Sequence, residues 1–230
     1  MIIVKPQVLV PLNAIDGNIV KKLERYARVC YKSEQQMNPE GDPEFLKRII
    51  KSGHESIVEH EKVTVMFIID RGISHEMVRH RVGAAYSQES TRYCRYSHSK
   101  FGSEITVIEP FFFTEDEAAY HLWTESCRVA EKNYMALLEL GRSAQEARSI
   151  LPNSLKTEIV VTYNIREWRH FFRLRCDAAA HPQMRQVSIP LLLYFKAHLP
   201  VLFEDILYDT KFPASHYAAI VPTDELFRPL

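Results

Sequence analysis

The densest run of chemically capable side chains is Arg79-His80-Arg81 followed by Tyr86-Ser87-Gln88-Glu89-Ser90-Thr91-Arg92-Tyr93. Within fifteen residues it holds three arginines, a histidine, several hydroxyls, an amide and a carboxylate. Guanidinium groups present planar forks that match phosphate oxygens, and the loop after Arg81 can bring Ser90 and Arg92 to the same anion. This composition suits a phosphate pocket. A solvated basic turn paired with nearby acids has the same composition, and both readings stand at this point.

Further along, Asn164 to Arg175 has helical spacing. With Trp168 at the origin of a helical wheel, Phe171, Phe172 and Ile165 fall within about sixty degrees and Arg175 about twenty degrees away. An arginine inside an apolar arc needs a partner, because an isolated guanidinium removed from water costs several kcal/mol. Either an acidic side chain or a bound ligand answers it, or Arg175, in the last turn, reaches back to water or favours the helix C-terminus. Arg166, His170 and Leu174 line the adjacent stripe at i, i+4 and i+8, with Asn164 at its head as a candidate ligand group or simply a cap.

Gly53-His54-Glu55-Ser56-Ile57-Val58-Glu59-His60 collects two histidines and two glutamates. The spacing is wrong for HExxH, so packing groups or contacts to an organic cofactor are favoured over a metal site. Arg148, ahead of Leu151-Pro152-Asn153, can reach a phosphate or stand in solvent.

The elements that must position these groups are well punctuated. Ile2 to Val10 reads as a strand and Asn18 to Tyr31 as a helix. Asp42-Pro43 caps a second helix that stops at Gly53, and Lys62 to Ile69 is a mostly buried strand. Ser74 is expected to cap a short helix through Arg81, followed by loop or irregular strand over Val82 to Tyr96. Thr106 to Pro110 reads as a further strand. Thr114 with Glu117 and Ser143 with Glu146 form two capping boxes, the first opening a long helix closed by Gly141. Leu155 to Tyr163 alternates as a strand, Asn164 with Glu167 opens the next helix, and Gln183 to His198 is helical with a kink at Pro190. The expected architecture is α+β, a mixed or antiparallel sheet with packed helices, in a single domain over residues 1–230 whose last stretch, 209–230, is an irregular surface tail.

Composition narrows the chemistry. Lys plus Arg and Asp plus Glu each number 29 in 230 residues, so no bulk field gathers a long polyanion or an acidic membrane. The seven glycines are isolated, which excludes a GxGxxG or P-loop cradle. Four scattered cysteines without a CxxC argue against a zinc knuckle or disulfide framework and for a reducing cytoplasm, and no apolar run reaches the length of a membrane span.

Arg79-His80-Arg81 with Ser90-Thr91-Arg92-Tyr93 resembles the signature of the flavin-dependent thymidylate synthases. The likeness extends through Cys30-Tyr31, Gly53-His54-Glu55 to Glu59-His60, Ala147-Arg148 to Leu151-Pro152-Asn153, and Asn164 to Arg175, roughly Ala27 to Ile206. The resemblance implies a non-Rossmann α+β fold that binds FAD and a homotetramer with shared active sites. It implies reductive methylation of dUMP to dTMP, with methylenetetrahydrofolate as carbon donor and NADPH as reductant through the flavin, and no enzyme nucleophile. Carried over, Arg175 would be the catalytic contact that stabilises the ionised N3 form of the uracil ring. The dUMP set would be Glu76, Arg79, Gln88, Glu89, Ser90, Thr91, Arg92 and Arg148 with Arg175, and Ser56, Arg79, His80, Arg81, Gln88, Asn164, Arg166 and His170 would surround FAD; no metal is implied.

Two positions depart from the family pattern. Eight residues, Val82 to Glu89, separate Arg81 from Ser90 where seven are usual, which places an extra residue near Ala84-Ala85 and keeps Ser87 open as the matching serine. Ala179 stands where many members have histidine, with His181 two residues later. Two rivals of other classes remain. One is a single-stranded nucleic-acid binder using Arg79, Arg81, Arg92 and Arg95 with Tyr86, Tyr93 and Tyr96. The other is a metal hydrolase on His54, Glu55, Glu59 and His60.

Overall fold

Side-chain caps set most of the helix boundaries. In the computed structural model, which describes residues 1–94, 96 and 104–225, Asp42 Oδ1 accepts from Phe45 N to open α2 (Pro43–Lys51) after α1 (Asn18–Tyr31). The capping box of Ser143 and Glu146 opens the short α5 (Ala144–Ala147). Asn164 Oδ1 accepts from Glu167 N at 2.8 Å to open α6 (Ile165–Arg175).

Two expected caps are displaced by stronger acceptors. Asp70, ending strand β3 (Lys62–Asp70), accepts from Ile73 N, so α3 (Arg71–Met77) begins ahead of Ser74, whose hydroxyl donates back to Arg71 O. Asp116 caps the long α4 (Glu117–Glu139), while Thr114 closes the preceding 3-10 turn by donating to Phe111 O. In both cases an ionised carboxylate outcompetes a hydroxyl for the orphan N–H groups of the first turn. Gly141, at φ +80°, follows α4 in the left-handed conformation that ends helices.

The expected first strand is broken at Lys5-Pro6 into β1 (Ile2–Val4) and β2 (Gln7–Val10). β1 pairs in parallel with β5 (Thr106–Ile108). The larger sheet has the order β4-β6-β3-β2-β7, where β4 is Ala84–Gln88, β6 is Lys156–Asn164 and β7 is Ala219–Pro222. Ile165 N donates to Glu61 O and Arg71 N to Leu155 O, so β3 and β6 are antiparallel; Glu89 N to Glu158 O and Asn164 N to Gly83 O make β4 antiparallel to β6. The sheets are therefore mixed within an α+β fold. β7 also corrects the expectation of an irregular tail after 209: Thr223 N donates to Val10 O, so this stretch supplies an edge strand.

The residues form two compact units, one of 1–7, 67–79 and 87–159, the other of 8–66, 80–86 and 160–230. The first is built on a cluster of Ile105, Val107, Cys127, Tyr134, Leu138, Ala147 and Leu155. The second packs α6 against α7 (Pro182–His198), which runs on through Pro190, and α8 (Pro200–Phe203). Its core is aromatic: Trp168 stacks on Phe172 at 5.5 Å, Phe195 and Phe203 meet edge to face, and Trp168 Nε1 donates to Val63 O. The buried Arg169 forks onto both Asp205 carboxylate oxygens and donates to Leu202 O, which satisfies its charge with an acid as burial requires.

Candidate active site

In the second unit, β6 turns directly into α6 at Asn164, and Gly83 lies against that turn with φ +64°. Because the Asn164 side chain caps the helix, its Oδ1 is committed to Glu167 N, the plainer of the two roles expected for it. The cap leaves the Glu167 side chain facing inward, where Oε1 lies 2.9 Å from His80 Nδ1. On the other side of the same ring, Arg175 Nε donates to His80 Nε2 at 3.1 Å. The neutral ring is thus one partner of the arginine expected to need one, in a Glu167–His80–Arg175 chain.

The imidazole is held on all sides. Phe171 meets it edge-on at 5.1 Å, with Tyr163 at 6.0 Å and His170 at 5.5 Å. Tyr86 donates to the His80 carbonyl and lies 2.8 Å from the Tyr163 hydroxyl. Burial, then the positive Arg175, then His170 lower the pKa of His80 to about 4, so the ring is neutral at pH 7. Burial also raises the pKa of Glu167.

This sets a pH dependence. The unfolded chain protonates His80 below 6.5 and the folded chain only near 4, so stability is complete above 6.5 and falls as pH drops toward 4. The loss from this group is on the order of 3 kcal/mol at most, reached near pH 4. The raised Glu167 carboxyl acts with the opposite sign and offsets part of it. Urea titrations at pH 7 and pH 5 should show this decline, and His80→Gln should flatten it; an unchanged slope in that variant would assign the decline elsewhere.

The remaining groups expected around FAD in this unit lie near the surface: Ser56, Arg81, Arg166 and His170 are exposed. Arg166 pairs with Glu59 at 2.5 Å and Glu55 at 3.4 Å, and Arg173 also reaches Glu55. These pairs draw both glutamates of the 53–60 segment toward arginines. Among the described residues the one cluster with metal-ligand spacing is instead His80, Glu167 and His170.

The groups expected at dUMP apart from Arg175 all lie in the first unit, where Thr91 and Arg148 of that set line a common cavity. A cavity of about 450 Å³ is lined by Arg71, His75, Thr91, Arg148, Pro152 and Asn153, among others, and Arg148 Nη1 donates to Thr91 Oγ1 at 3.4 Å. Gln88 donates to Ser74 Oγ and Thr157 Oγ1, which fixes its amide. Ser90 starts a tight turn: its carbonyl accepts from Tyr93 N and Cys94 N, and its hydroxyl accepts from Arg92 N. Glu76 is half-buried on α3, and Arg79 and Arg92 are exposed. Glu89 is turned inward, accepting from Tyr96 OH at 2.8 Å with Lys156 at 3.6 Å.

Three residues of the site were not singled out from sequence. Arg71 lies just past the expected strand Lys62–Ile69 and belongs to no motif, yet it donates to Glu89 O and Thr157 Oγ1 and lines the cavity. Glu167 reads as an ordinary first-turn acid, and Tyr163 as a strand residue; only its position one before the Asn164 cap hints at a place beside the site. His181, a possible substitute for the family histidine absent at Ala179, caps α7 by accepting from Gln183 N. The stacking platform of the nucleic-acid reading does not form, since Tyr96 is 5% exposed and Tyr86 is bonded to His80 and Tyr163. Tyr93 is open, and Arg95 lies outside the described residues.

Comparison with known proteins identifies the family. Residues 16–201 match the family profile Thy1, thymidylate synthase complementing protein. A flavin-dependent thymidylate synthase of Geobacter sulfurreducens is 33% identical over 186 residues, covering 78% of this chain and 78% of that protein. That of Corynebacterium aurimucosum is 34% identical over 201 residues, covering 80% and 78%. The crystal structure of the UMP/dUMP methylase PolB from Streptomyces cacaoi, bound with 5-Br dUMP, is similar in fold, with a TM-score of 0.72 at 21% identity over 89% of this chain and 96% of that one. A profile over residues 16–201 and relatives at this identity lead to one assignment: the chain belongs to the family of thymidylate synthase complementing proteins, the flavin-dependent thymidylate synthases.

Proposed function

We propose that the protein converts dUMP to dTMP, with methylenetetrahydrofolate as carbon donor and NADPH as reductant by way of bound FAD, as a cytoplasmic homotetramer with shared active sites. The observation that carries this reading is Arg175, a guanidinium held by a neutral imidazole inside the residues that match the family signature. By accepting from Nε, the imidazole orients the guanidinium, as a group that must meet an ionised pyrimidine requires.

The donor set fits FAD by its chemistry. Arg81 and the exposed His170 offer N–H groups for a pyrophosphate and a polar ring edge, Arg166 could join them by exchanging its glutamate partners for the phosphates, and the chain has no glycine-rich loop that would hold a dinucleotide another way. When bound, the flavin supplies the hydride that takes the transferred carbon to the methyl level. The residues of the chain do the rest. Arg148 and Arg71 meet the nucleotide phosphate at the cavity, Thr91 and Ser90 offer hydroxyls beside it, and Gln88 is pre-set by Ser74 and Thr157. Arg175 stabilises negative charge on the N3 side of the uracil ring, which makes C5 a better carbon nucleophile. The methylene carbon joins C5, the C5 hydrogen leaves as a proton, and tetrahydrofolate and NADP⁺ are the co-products.

Arg148→Ala should raise the KM for dUMP by about 10–100-fold with a smaller change in kcat, as loss of a phosphate contact made equally in ground and transition states does. Initial rates at varied dUMP decide this, and an unchanged KM removes Arg148 from the site. The overall reading is tested by a visible spectrum of the purified protein before and after anaerobic NADPH, then by assay of dTMP. A flavin spectrum that bleaches, with dTMP formed only when methylenetetrahydrofolate is present, is the expected outcome. Protein that neither carries nor takes up FAD overturns it.

A further inference from the structure

We infer that Glu167 is a positioning residue for Arg175, acting through His80: by accepting the Nδ1 proton it fixes the imidazole tautomer whose Nε2 lone pair receives Arg175 Nε. The inference rests on the proposed role of Arg175 at the pyrimidine.

The argument is one of donors and acceptors. Arg175 Nε carries a hydrogen and has no lone pair to offer, so at 3.1 Å it can only donate, and His80 Nε2 must accept. A neutral imidazole has one N–H, which then sits on Nδ1, 2.9 Å from Glu167 Oε1. In the other tautomer two N–H groups would face each other at Nε2, and Nδ1 would turn a lone pair toward a carboxylate. The carboxylate therefore selects the ring state on which the aim of the guanidinium depends. Burial of the ring keeps a second proton off it near neutral pH. Phe171 and Tyr163 pack on the imidazole and Tyr86 holds its carbonyl, so rotation of the ring cannot substitute for the tautomer. A merely structural role is already filled without the Glu167 side chain, because the helix cap uses its backbone N–H.

The test separates ring state from turnover. With histidine labelled in ¹⁵N, correlation spectra of the wild-type holoenzyme assign the proton on His80, the resonance being identified by its loss in His80→Gln. The expected result is a protonated Nδ1 and a bare Nε2. Glu167→Gln, whose carbonyl can still accept from Nδ1, should keep that tautomer and stay within about threefold of wild-type kcat. Glu167→Ala should shift the ring toward Nε2–H and lower kcat by about 10–100-fold, in the range for loss of an orienting hydrogen bond, while FAD absorbance stays. A wild-type ring protonated at Nε2, or an unaltered tautomer in Glu167→Ala, overturns the inference. So does a shifted tautomer with unchanged turnover, provided Arg175→Ala is inactive. If Arg175→Ala turns over normally as well, the failure lies in the proposed function.

Discussion

Arg175→Ala is expected to lower dTMP formation by about 10²–10³-fold while the protein retains its flavin spectrum, the range found when one preorganised donor to a developing anion is removed. The arginine sits in the last turn of α6, and the tie that fastens this turn to α7, Ser188 Oγ to the Arg175 carbonyl at 2.7 Å, does not use its side chain. The fold should therefore survive, although His80 Nε2 loses its donor, which by itself costs about 1 kcal/mol. Arg175→Lys separates charge from geometry. An ammonium restores the charge but lacks the planar fork that can serve His80 and a substrate at once, so it should recover only part of the rate. Quantifying dTMP by chromatography beside the visible spectrum of each variant decides the matter. Normal turnover in Arg175→Ala ends the assignment of Arg175 to the reaction, and flavin loss with turnover loss would move it to the cofactor.

What could be read from the sequence follows from how local each signal is. The Asp42-Pro43, Ser143/Glu146 and Asn164/Glu167 starts are contained in three or four consecutive residues, and all three appear as caps. Ser74 and Thr114 do not cap their helices because an aspartate a few residues away competes for the same N–H groups, and by pattern alone a hydroxyl and a carboxylate fit equally well. The wheel position of Arg175 announced a partner, but not that it would be His80, 95 residues earlier in the chain. That meeting depends on antiparallel pairing of β4 and β6 beside the turn at Asn164, a tertiary fact with no local signature. Glu167 was hidden for a related reason. A glutamate at the third helical position that reaches back to its cap and one that turns inward have the same sequence, and only the packing of Phe171 and Tyr163 around His80 tells them apart. β7 is four residues long, too short to show a period, and owes its existence to the open edge of β2.

Gly83→Ala should reach the same site through the backbone. At φ +64° any side chain is strained, by about 1–2 kcal/mol for alanine. A Cβ there would also stand 2.2 Å from Asn164 Nδ2 and 2.8 Å from its Cγ, closer than any real contact, so the carboxamide must swing away. Doing so gives up the bond from Glu167 N, a cap of about 1 kcal/mol, and loosens the first turn of α6 from which Glu167 meets His80. The expected total is about 2–4 kcal/mol of stability together with a loss of turnover larger than that of a surface substitution. A double-mutant cycle with Asn164→Ala isolates the cause. If the clash matters, the second substitution removes the group that is struck and the two costs fall short of adding. Denaturant midpoints of the four proteins give the answer: additive costs would mean that Gly83 acts through its own backbone strain and leaves the Asn164 cap undisturbed.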